Sequence, residues 1–378
     1  MAARVRFRRS AYSAVVKGKV ASSGTLGLLV SLAAWFERMA RTHDRGRRQR
    51  PRRVLSQRFE RTRSRAMPQN RRRQNDPTAR RIGVDWGTTH VRAWLLGAGG
   101  RVLDVRRDDR GMGRIAGDEA AFGAVYDTLV ADWPDVPALA CGMVGARQGW
   151  IEAPYVEVPT ALIGLASRAV TVTSPKGRRL AILPGICQRE PADVMRGEET
   201  KLVGLALEAP DVASSGFALL PGTHSKHAAL EEGCVVHFRS VPTGELFDVL
   251  GQHSLLRFSL ERDGAYDAIA FDDAVLEGAT LRAGELTAAL FNLRARSLLE
   301  AFSPAAARGR LSGLLIGAEL ALLDRERPIA LVGSGGMIEP ISRAFRVLGR
   351  PAPRVFDGDA LVRRALAHLA ALLEGADI

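Results

Sequence analysis

Two stretches of this chain read alike, and that likeness narrows the fold more than any other feature of the sequence. The first runs from a short apolar strand at 82–85 through the turn Trp86-Gly87-Thr88-Thr89 into a strand at 91–96. Gly99-Gly100 then leads to a third strand at 102–106. Glycines punctuate both turns as hairpins require. A helix over 119–133 follows, with Phe122, Val125, Leu129 and Trp133 near helical spacing. Strands at 137–141 and 180–183 and a helix over 198–207 complete the unit. The pattern restarts with a strand at 217–220, the turn Pro221-Gly222-Thr223, and strands at 227–230 and 234–241. Helices then dominate to residue 325, including 311–323, whose apolar run is too short to cross a bilayer. A strand at 329–333 runs into Gly335-Gly336 and a helix, then a strand at 354–356 and a closing helix at 360–373. Two such units predict two similar α/β lobes, 81–212 and 213–378, around a cleft where ligands prefer to bind.

The charge belongs elsewhere. The chain carries a net +13, which invites a nucleic-acid reading. Residues 1–80, however, hold 22 Lys/Arg and 4 acids, leaving 32 basic and 37 acidic residues for 81–378. The body is thus mildly acidic, and charge on a tail says little about what that body binds. Arg-rich blocks repel themselves, so 1–80 is expected to be a disordered basic extension. Its apolar stretch at 24–36 is short for a membrane span and lacks a clean cleavage site. A transit sequence, a nucleic-acid-binding arm and a membrane-surface anchor stay open for it, beside a start placed too far upstream, with Met67 as the candidate start. Apolar residues at 46% are enough for a sizeable core. Three widely spaced cysteines, Cys141, Cys187 and Cys234, with no CxxC, argue for buried thiols in a reducing cytoplasm rather than a disulfide framework or a zinc site. His224 and His227 stand three apart without a supporting Cys/His cluster, so zinc is not expected there either.

Three glycine turns and one acidic pair carry the chemistry. An acid at a strand end, Asp85, followed by Gly87, Thr88 and Thr89, suits a polyphosphate: backbone N–H groups and hydroxyls face phosphate oxygens and the carboxylate holds a hydrated Mg²⁺. The same residues also make an ordinary hairpin turn. Gly222, Thr223 and Lys226 repeat the arrangement in the second lobe, so two turns grip a polyphosphate from both sides. Gly333, Ser334, Gly335 and Gly336 mark a strand-to-helix junction where a nucleoside can approach the backbone. Glu198 and Glu199 open a helix, where carboxylates commonly just complement the dipole. In the functional alternative one of them accepts a proton from an attacking hydroxyl during phosphoryl transfer.

The segments Asp85-Trp86-Gly87-Thr88-Thr89, Gly142-Met143-Val144-Gly145, Met195-Arg196-Gly197-Glu198-Glu199-Thr200, Pro221-Gly222-Thr223-His224-Ser225-Lys226 and Leu311-Ser312-Gly313-Leu314-Leu315-Ile316-Gly317-Ala318-Glu319, with Pro154-Tyr155 after Gly149-Trp150, resemble the motifs of the 2-dehydro-3-deoxygalactonokinase family. The resemblance covers 81–375 in order. It implies an α/β fold of two ribonuclease-H-like lobes around an ATP cleft, that of the actin, sugar-kinase and Hsp70 superfamily. It also implies ATP- and Mg²⁺-dependent phosphorylation of 2-dehydro-3-deoxy-D-galactonate at its 6-hydroxyl. In that frame Asp85 serves Mg²⁺ through water, and Gly87, Thr88, Thr89, Gly222, Thr223 and Lys226 serve the phosphates. Gly333, Ser334, Gly335 and Gly336 lie at the nucleoside. Glu198 is the expected base, with Glu199 second, because Gly197-Glu198 stands where related kinases carry Gly-Asp. An anionic substrate needs a cation, and Arg92, Arg147 and Arg196, with Gly145 and Tyr155, are the candidates for its wall. Gly313 and Gly317 are expected to serve close helix packing. The partners are a sugar acid and ATP, with no nucleic acid for the folded body and no membrane. The oligomeric state stays open, a homodimer included. The rival readings are a same-fold kinase for another sugar acid such as 2-dehydro-3-deoxygluconate, and a non-catalytic sugar-sensing regulator.

Overall fold

The computed structural model describes residues 78–260, 266–324 and 326–374. The expectations for the basic extension, its apolar stretch and Met67 therefore lie outside the described residues. The first meander forms β1 (Ala79–Trp86), β2 (Val91–Gly97) and β3 (Val102–Asp108). After the short α1 (Met112–Ile115) and α2 (Glu119–Leu129) comes β4 (Ala138–Gly142). A series of short strands follows: β5 (Tyr155–Glu157), β6 (Thr160–Ala161), β7 (Val170–Thr173), β8 (Arg179–Ile182), β9 (Gly185–Gln188) and β10 (Asp193–Met195). Next come α3 (Glu198–Glu208) and α4 (Pro210–Ser215), then the second meander, β11 (Phe217–Leu220), β12 (Ser225–Glu231) and β13 (Cys234–Val241). The helices α5 (Thr243–His253), α6 (Ala268–Gly278), α7 (Ala283–Leu299) and α8 (Pro304–Leu320) lead to β14 (Ile329–Gly333), α9 (Ile338–Val347), β15 (Arg354–Asp357) and α10 (Gly358–Glu374).

The two main sheets are ordered β3-β2-β1-β4-β8-β7 and β15-β14-β11-β12-β13-β6. In each, an antiparallel meander is extended by parallel strands on its first member, β4 and β8 beside β1, β14 and β15 beside β11. This is the ribonuclease-H-like order in duplicate. β10, β9 and β5 make a third, small sheet.

Strand alternation divides the core between layers, because successive side chains leave a strand on opposite faces. Ala138 and Ala140 of β4 join Val84, Trp86 and the α2 residues Phe122 and Tyr126 on the outer face of the first sheet. Leu139 and Cys141 point the other way, into a shared cluster with Leu202 and Leu205 of α3, Leu361, Leu366 and Leu369 of α10, and Ala218, Leu220, Ala330 and Val332 of the second sheet. Leu219 and Leu331, one residue out of phase with those, pack outward on α6, α8 and α9. The layers are therefore helix, sheet, two helices, sheet and helices.

Two segments cross the 212/213 boundary read from the sequence. β6 pairs with β13 of the second sheet, and α10, arriving from β15, packs on β1, β4 and α3. On the outer layer, Cβ atoms built at Gly309, Gly313 and Gly317 of α8 would fall 2.5, 2.4 and 2.3 Å from the carbonyl oxygens of Asp267, Phe271 and Val275. The expected close packing at Gly313 and Gly317 is thus realised against α6, with Gly309 as a third contact.

Candidate active site

β1 and β4 run parallel, so Asp85 lies in register with Cys141 and both strands end on one rim. The turn after β1 closes with the Gly87 N–H donating to the His90 carbonyl at 2.9 Å. Its own carbonyls are consumed from behind: those of Gly87, Thr88 and Thr89 accept N–H groups of Met112, Gly113 and Gly111 at 2.8–3.2 Å. Thr88 and Thr89 stay exposed. A cavity of about 560 Å³ is lined by Asp85, Gly87, Thr89, His90, Arg92 and the 107–109 segment.

The opening of α3 is held against this rim by glycine backbone. Gly142 (φ +90°) brings its α-carbon so close to β1 that a Cβ would sit 2.6 Å from the Trp86 carbonyl oxygen. A Cβ on Gly197 (φ +105°) would lie 3.4 Å from the Gly142 α-carbon. Only glycine adopts these positive φ values without strain while leaving that room. The first turn of α3 leaves N–H groups without helical partners. Glu198 accepts from the Arg196 N–H at 3.1 Å and Glu199 from the Gly197 N–H at 2.6 Å. Both carboxylates therefore close the helix opening, as the dipole reading expects. Their surroundings differ. Glu199 is fully buried, also accepts from the Thr200 hydroxyl at 3.1 Å, and is pushed up to about 7 by burial and then by the Glu198 charge. Glu198 is half-buried, so of the two it is the more accessible carboxylate. Beneath them Cys141 is fully buried, its thiol 3.9 Å from Asp85 Oδ1 and pushed up first by burial, then by the Asp85 and Glu199 charges.

The cations depart from expectation in three of four cases. Arg92, expected at the substrate carboxylate, is bound by two carboxylates of the protein: its Nη2 donates to Asp85 Oδ2 at 2.9 Å and to Asp359 Oδ1 at 2.8 Å, and its Nη1 to Asp359 Oδ2. It stands on the phosphate-turn side, in register with Asp85. Lys226, expected at a phosphate, is buried and donates to the Val194 carbonyl at 2.9 Å and to Ser240 Oγ. Strand alternation sends it toward β10 and β13, on the face opposite Ser225 and His227. Arg147 is 80% exposed at the surface and pairs with Glu152 at 3.6 Å.

Arg196 behaves otherwise. Its guanidinium lies over the Tyr155 ring at 4.3 Å and gives one Nη2 bond to the Ala153 carbonyl at 2.7 Å. Nε and Nη1 are buried without a protein acceptor. Gly145 makes room for it, since a Cβ there would be 2.9 Å from Nη1. Buried guanidinium donors without acceptors are costly.

In the second half, Gly222 and Thr223 lie against the start of α5: a Cβ on Gly244 would be 2.4 Å from the Gly222 carbonyl oxygen, and the Glu245 N–H donates to the Thr223 carbonyl at 2.9 Å. A cavity of about 410 Å³ joins this turn to Thr243, Tyr266, Ser312, Gly336 and Met337. Gly335 (φ +75°) and Gly336 have nothing within 4 Å of a built Cβ, so the 333–336 loop is open on that side. Reading residue types along the chain did not single out Tyr266, Ser312 or Asp359. Ser312 lay inside a quoted motif, whereas Asp359 had only its place after a strand as a signal. His224 and His227 take separate carboxylates, Glu245 at 2.8 Å and Glu319 at 3.0 Å.

The residues fit a nucleotide and its metal. Among the described residues no group of three or more His, Cys, Asp or Glu forms a metal cage. Asp85 presents a carboxylate to the cavity that Asp108 and Asp109 also line, a donor set that suits Mg²⁺, an ion held by one or two carboxylates with waters and phosphate oxygens.

Duplicate ribonuclease-H-like sheets, two small-residue turns on their rims and an accessible carboxylate at a helix opening define a carbohydrate kinase of the actin-like class. Residues 85–369 match the 2-keto-3-deoxy-galactonokinase family, and the chain belongs to that family. It is 39% identical over 301 residues to a Rhizobium meliloti (strain 1021) protein named "Probable 2-dehydro-3-deoxygalactonokinase DgoK1", covering 76% of this chain and 95% of that one. It is 34% identical over 304 residues to the 2-dehydro-3-deoxygalactonokinase of Escherichia coli (strain K12), covering 78% and 99%. A crystal structure from Sinorhizobium meliloti, of a protein assigned as a 2-dehydro-3-deoxygalactonokinase, superposes with a TM-score of 0.71 at 38% identity, over 77% of this chain and 98% of that one.

Proposed function

We propose that the protein transfers the γ-phosphoryl group of ATP to the 6-hydroxyl of 2-dehydro-3-deoxy-D-galactonate. The observation that supports this most directly is the half-buried Glu198 carboxylate, held by Gly142 and Gly197 against the rim that carries Asp85 and the Gly87-Thr88-Thr89 turn. In this reading residues 81–212 and 213–378 are the two lobes and the nucleotide lies between them. Gly87, Thr88, Thr89, Gly222 and Thr223 face the phosphates, and Gly333, Ser334, Gly335 and Gly336 flank the nucleoside beside Tyr266 and Met337. Asp85 would hold Mg²⁺ through water; the ion would neutralise charge on the β- and γ-phosphates. Arg196, stacked on Tyr155 beside Gly145, is the cation that faces the sugar-acid carboxylate. Glu198 accepts the 6-hydroxyl proton as the new O–P bond forms and the bond to ADP breaks. Burial raises the Glu199 carboxyl to about 7, so near neutrality it carries its proton part of the time, which reduces the charge crowded beside Glu198. Water exclusion and alignment supply the remaining rate enhancement. The cytoplasm is the proposed location. No helix among the described residues is long and apolar enough to cross a membrane.

The test is ADP production with ATP and Mg²⁺ by the full chain and by the chain starting at Met67. Substrates are the galactonate derivative, its gluconate epimer and neutral hexoses. Preference for the galactonate derivative supports the proposal; preference for the epimer transfers the same mechanism to another substrate. Glu198→Gln is expected to lose about 10²–10⁴-fold in kcat while binding ATP within about twofold of the parent. A variant that keeps most of its kcat removes Glu198 from the role of base.

A further inference from the structure

Asp359 has no part in the reading above, yet it touches the residue that touches Asp85. It is delivered by the second sheet: β15 ends at Asp357, in register with Gly333 of β14, and Asp359 follows in the first turn of α10. That turn does not need the Asp359 carboxylate as a cap, because Asp357 Oδ1 already accepts the N–H groups of Asp359 at 2.8 Å and Ala360 at 3.0 Å. Asp359 instead takes both terminal nitrogens of Arg92, 267 residues away, while Arg92 Nη2 also reaches Asp85. The Arg92 hydrogen bond holds the Asp359 carboxyl below its ordinary range. The Arg92 and Asp359 side chains are 24% and 34% exposed, so as a stabilising ion pair the contact is worth little. Its value lies in where it sits.

Two carboxylates on one guanidinium carry a net charge of −1. Asp359 draws Arg92 into a two-toothed pair, while Arg92 meets Asp85 through Oδ2 and Asp85 Oδ1 faces the Cys141 thiol at 3.9 Å. Without Asp359, the whole guanidinium charge would fall on Asp85 alone, and the local charge, to which Lys201 and Arg363 beside Asp359 also contribute, would become one unit more positive. The path also has a second end. Gly358 lies so near the nucleoside loop that a Cβ there would be 3.7 Å from the Gly333 α-carbon. We propose that Asp359 is a positioning residue that, through Arg92, keeps the Asp85 carboxylate open to a divalent cation. This rests on the proposed role of Asp85 toward Mg²⁺.

The experiment is calorimetric ADP binding to the full chain, with Mg²⁺ and with EDTA, whose ratio of affinities isolates the metal contribution. In Asp359→Asn that ratio is expected to shrink about tenfold, the effect of one unit charge on a nearby divalent ion in a high dielectric. ADP affinity in EDTA and the KM for the sugar acid are expected to stay within twofold, and Asp359→Glu to recover part of the ratio. An unchanged ratio in Asp359→Asn overturns the proposal, as does a loss that appears equally in EDTA and tracks a lowered Tm. A wild-type measurement covers the case of an unfolded variant: adding Mg²⁺ to the ADP complex should slow hydrogen exchange at 358–362, and exchange there that ignores Mg²⁺ also overturns it. Both readouts are independent of the sugar, so a wild type that binds Mg²⁺–ADP but phosphorylates none of the sugars tested refutes the proposed substrate and leaves this inference standing.

Discussion

Gly204 is the point at which the helix carrying Glu198 crosses the helix carrying Asp359. A Cβ built there falls 2.2 Å from the Leu361 carbonyl oxygen, 2.6 Å from its carbon and 2.8 Å from its α-carbon. These are backbone atoms of α10, so no side-chain rotation relieves the clash. Restoring ordinary contact at about 3.4 Å requires α3 and α10 to part by about 1.2 Å. Over that gap the buried contacts among Leu202, Leu205, Leu361 and Leu366 lose much of their dispersion energy. Overpacking of this kind costs about 1–3 kcal/mol, and parting the helices adds to it, while alanine's better helix propensity returns about 1 kcal/mol. A net loss of about 2 kcal/mol is expected, or roughly 5 °C in Tm. Because Glu198 and Asp359 stand in the first turns of these two helices, the same displacement should lower kcat by about 10–100-fold. The measurements are a thermal melt and steady-state turnover of Gly204→Ala, beside Gly251→Ala as a control. At Gly251, in α5, a built Cβ meets only a Leu260 side-chain atom at 3.7 Å, so alanine there should raise stability by up to about 1 kcal/mol. If Gly204→Ala melts with the control and keeps its kcat, the close crossing has no energetic meaning and the reasoning fails.

Two further outcomes follow from buried ionisable groups. Folded Glu199 holds its proton more tightly than the unfolded chain does, with a value raised from 4.5 to about 7. Its contribution to stability is therefore complete below about 4.5 and is lost as pH rises through about 7. Glu199→Gln cannot ionise, so urea unfolding at pH 5 and pH 8 should find the variant gaining on the parent at the higher pH; a flat or reversed difference rejects the burial argument. Lys226→Met deletes a buried ammonium that bridges β10 and β13, leaving the Val194 carbonyl without that donor. It should cost about 1–3 kcal/mol and leave the KM for ATP within about twofold. A normal Tm with a tenfold rise in that KM would return Lys226 to the phosphates.

The duplicated meander was legible because hairpin glycines and period-two hydropathy are local signals. The strands at 217–220, 234–241 and 329–333 fall where the pattern places them, and α3 begins at Glu198 as expected. The 155–195 region was not legible in the same way: β5, β6, β7, β9 and β10 are two to four residues long, too short to carry a period. Their pairing depends on partners far along the chain, as when β6 joins β13.

Residue types and spacing were enough to mark the site's acids and glycines, since a strand end, a turn and a helix opening are each written in a few adjacent letters. They did not settle which charge faces which. Lys226 and His227 are neighbours in sequence, yet one reaches β10 and the other Glu319 of α8, because a strand alternates its faces and only the layers on either side give those faces meaning. Arg92 looks like a free cation until α10 brings Asp359 to it across 267 positions. The sequence by itself determined the two meanders, their turns and the carboxylate that opens α3, through hydrogen bonding and hydropathy within a few residues. Only the tertiary structure decided that Arg196 keeps two buried donors without a protein acceptor while Arg92 and Lys226 are already engaged, because the pairing of a charge depends on which distant element the fold packs beside it.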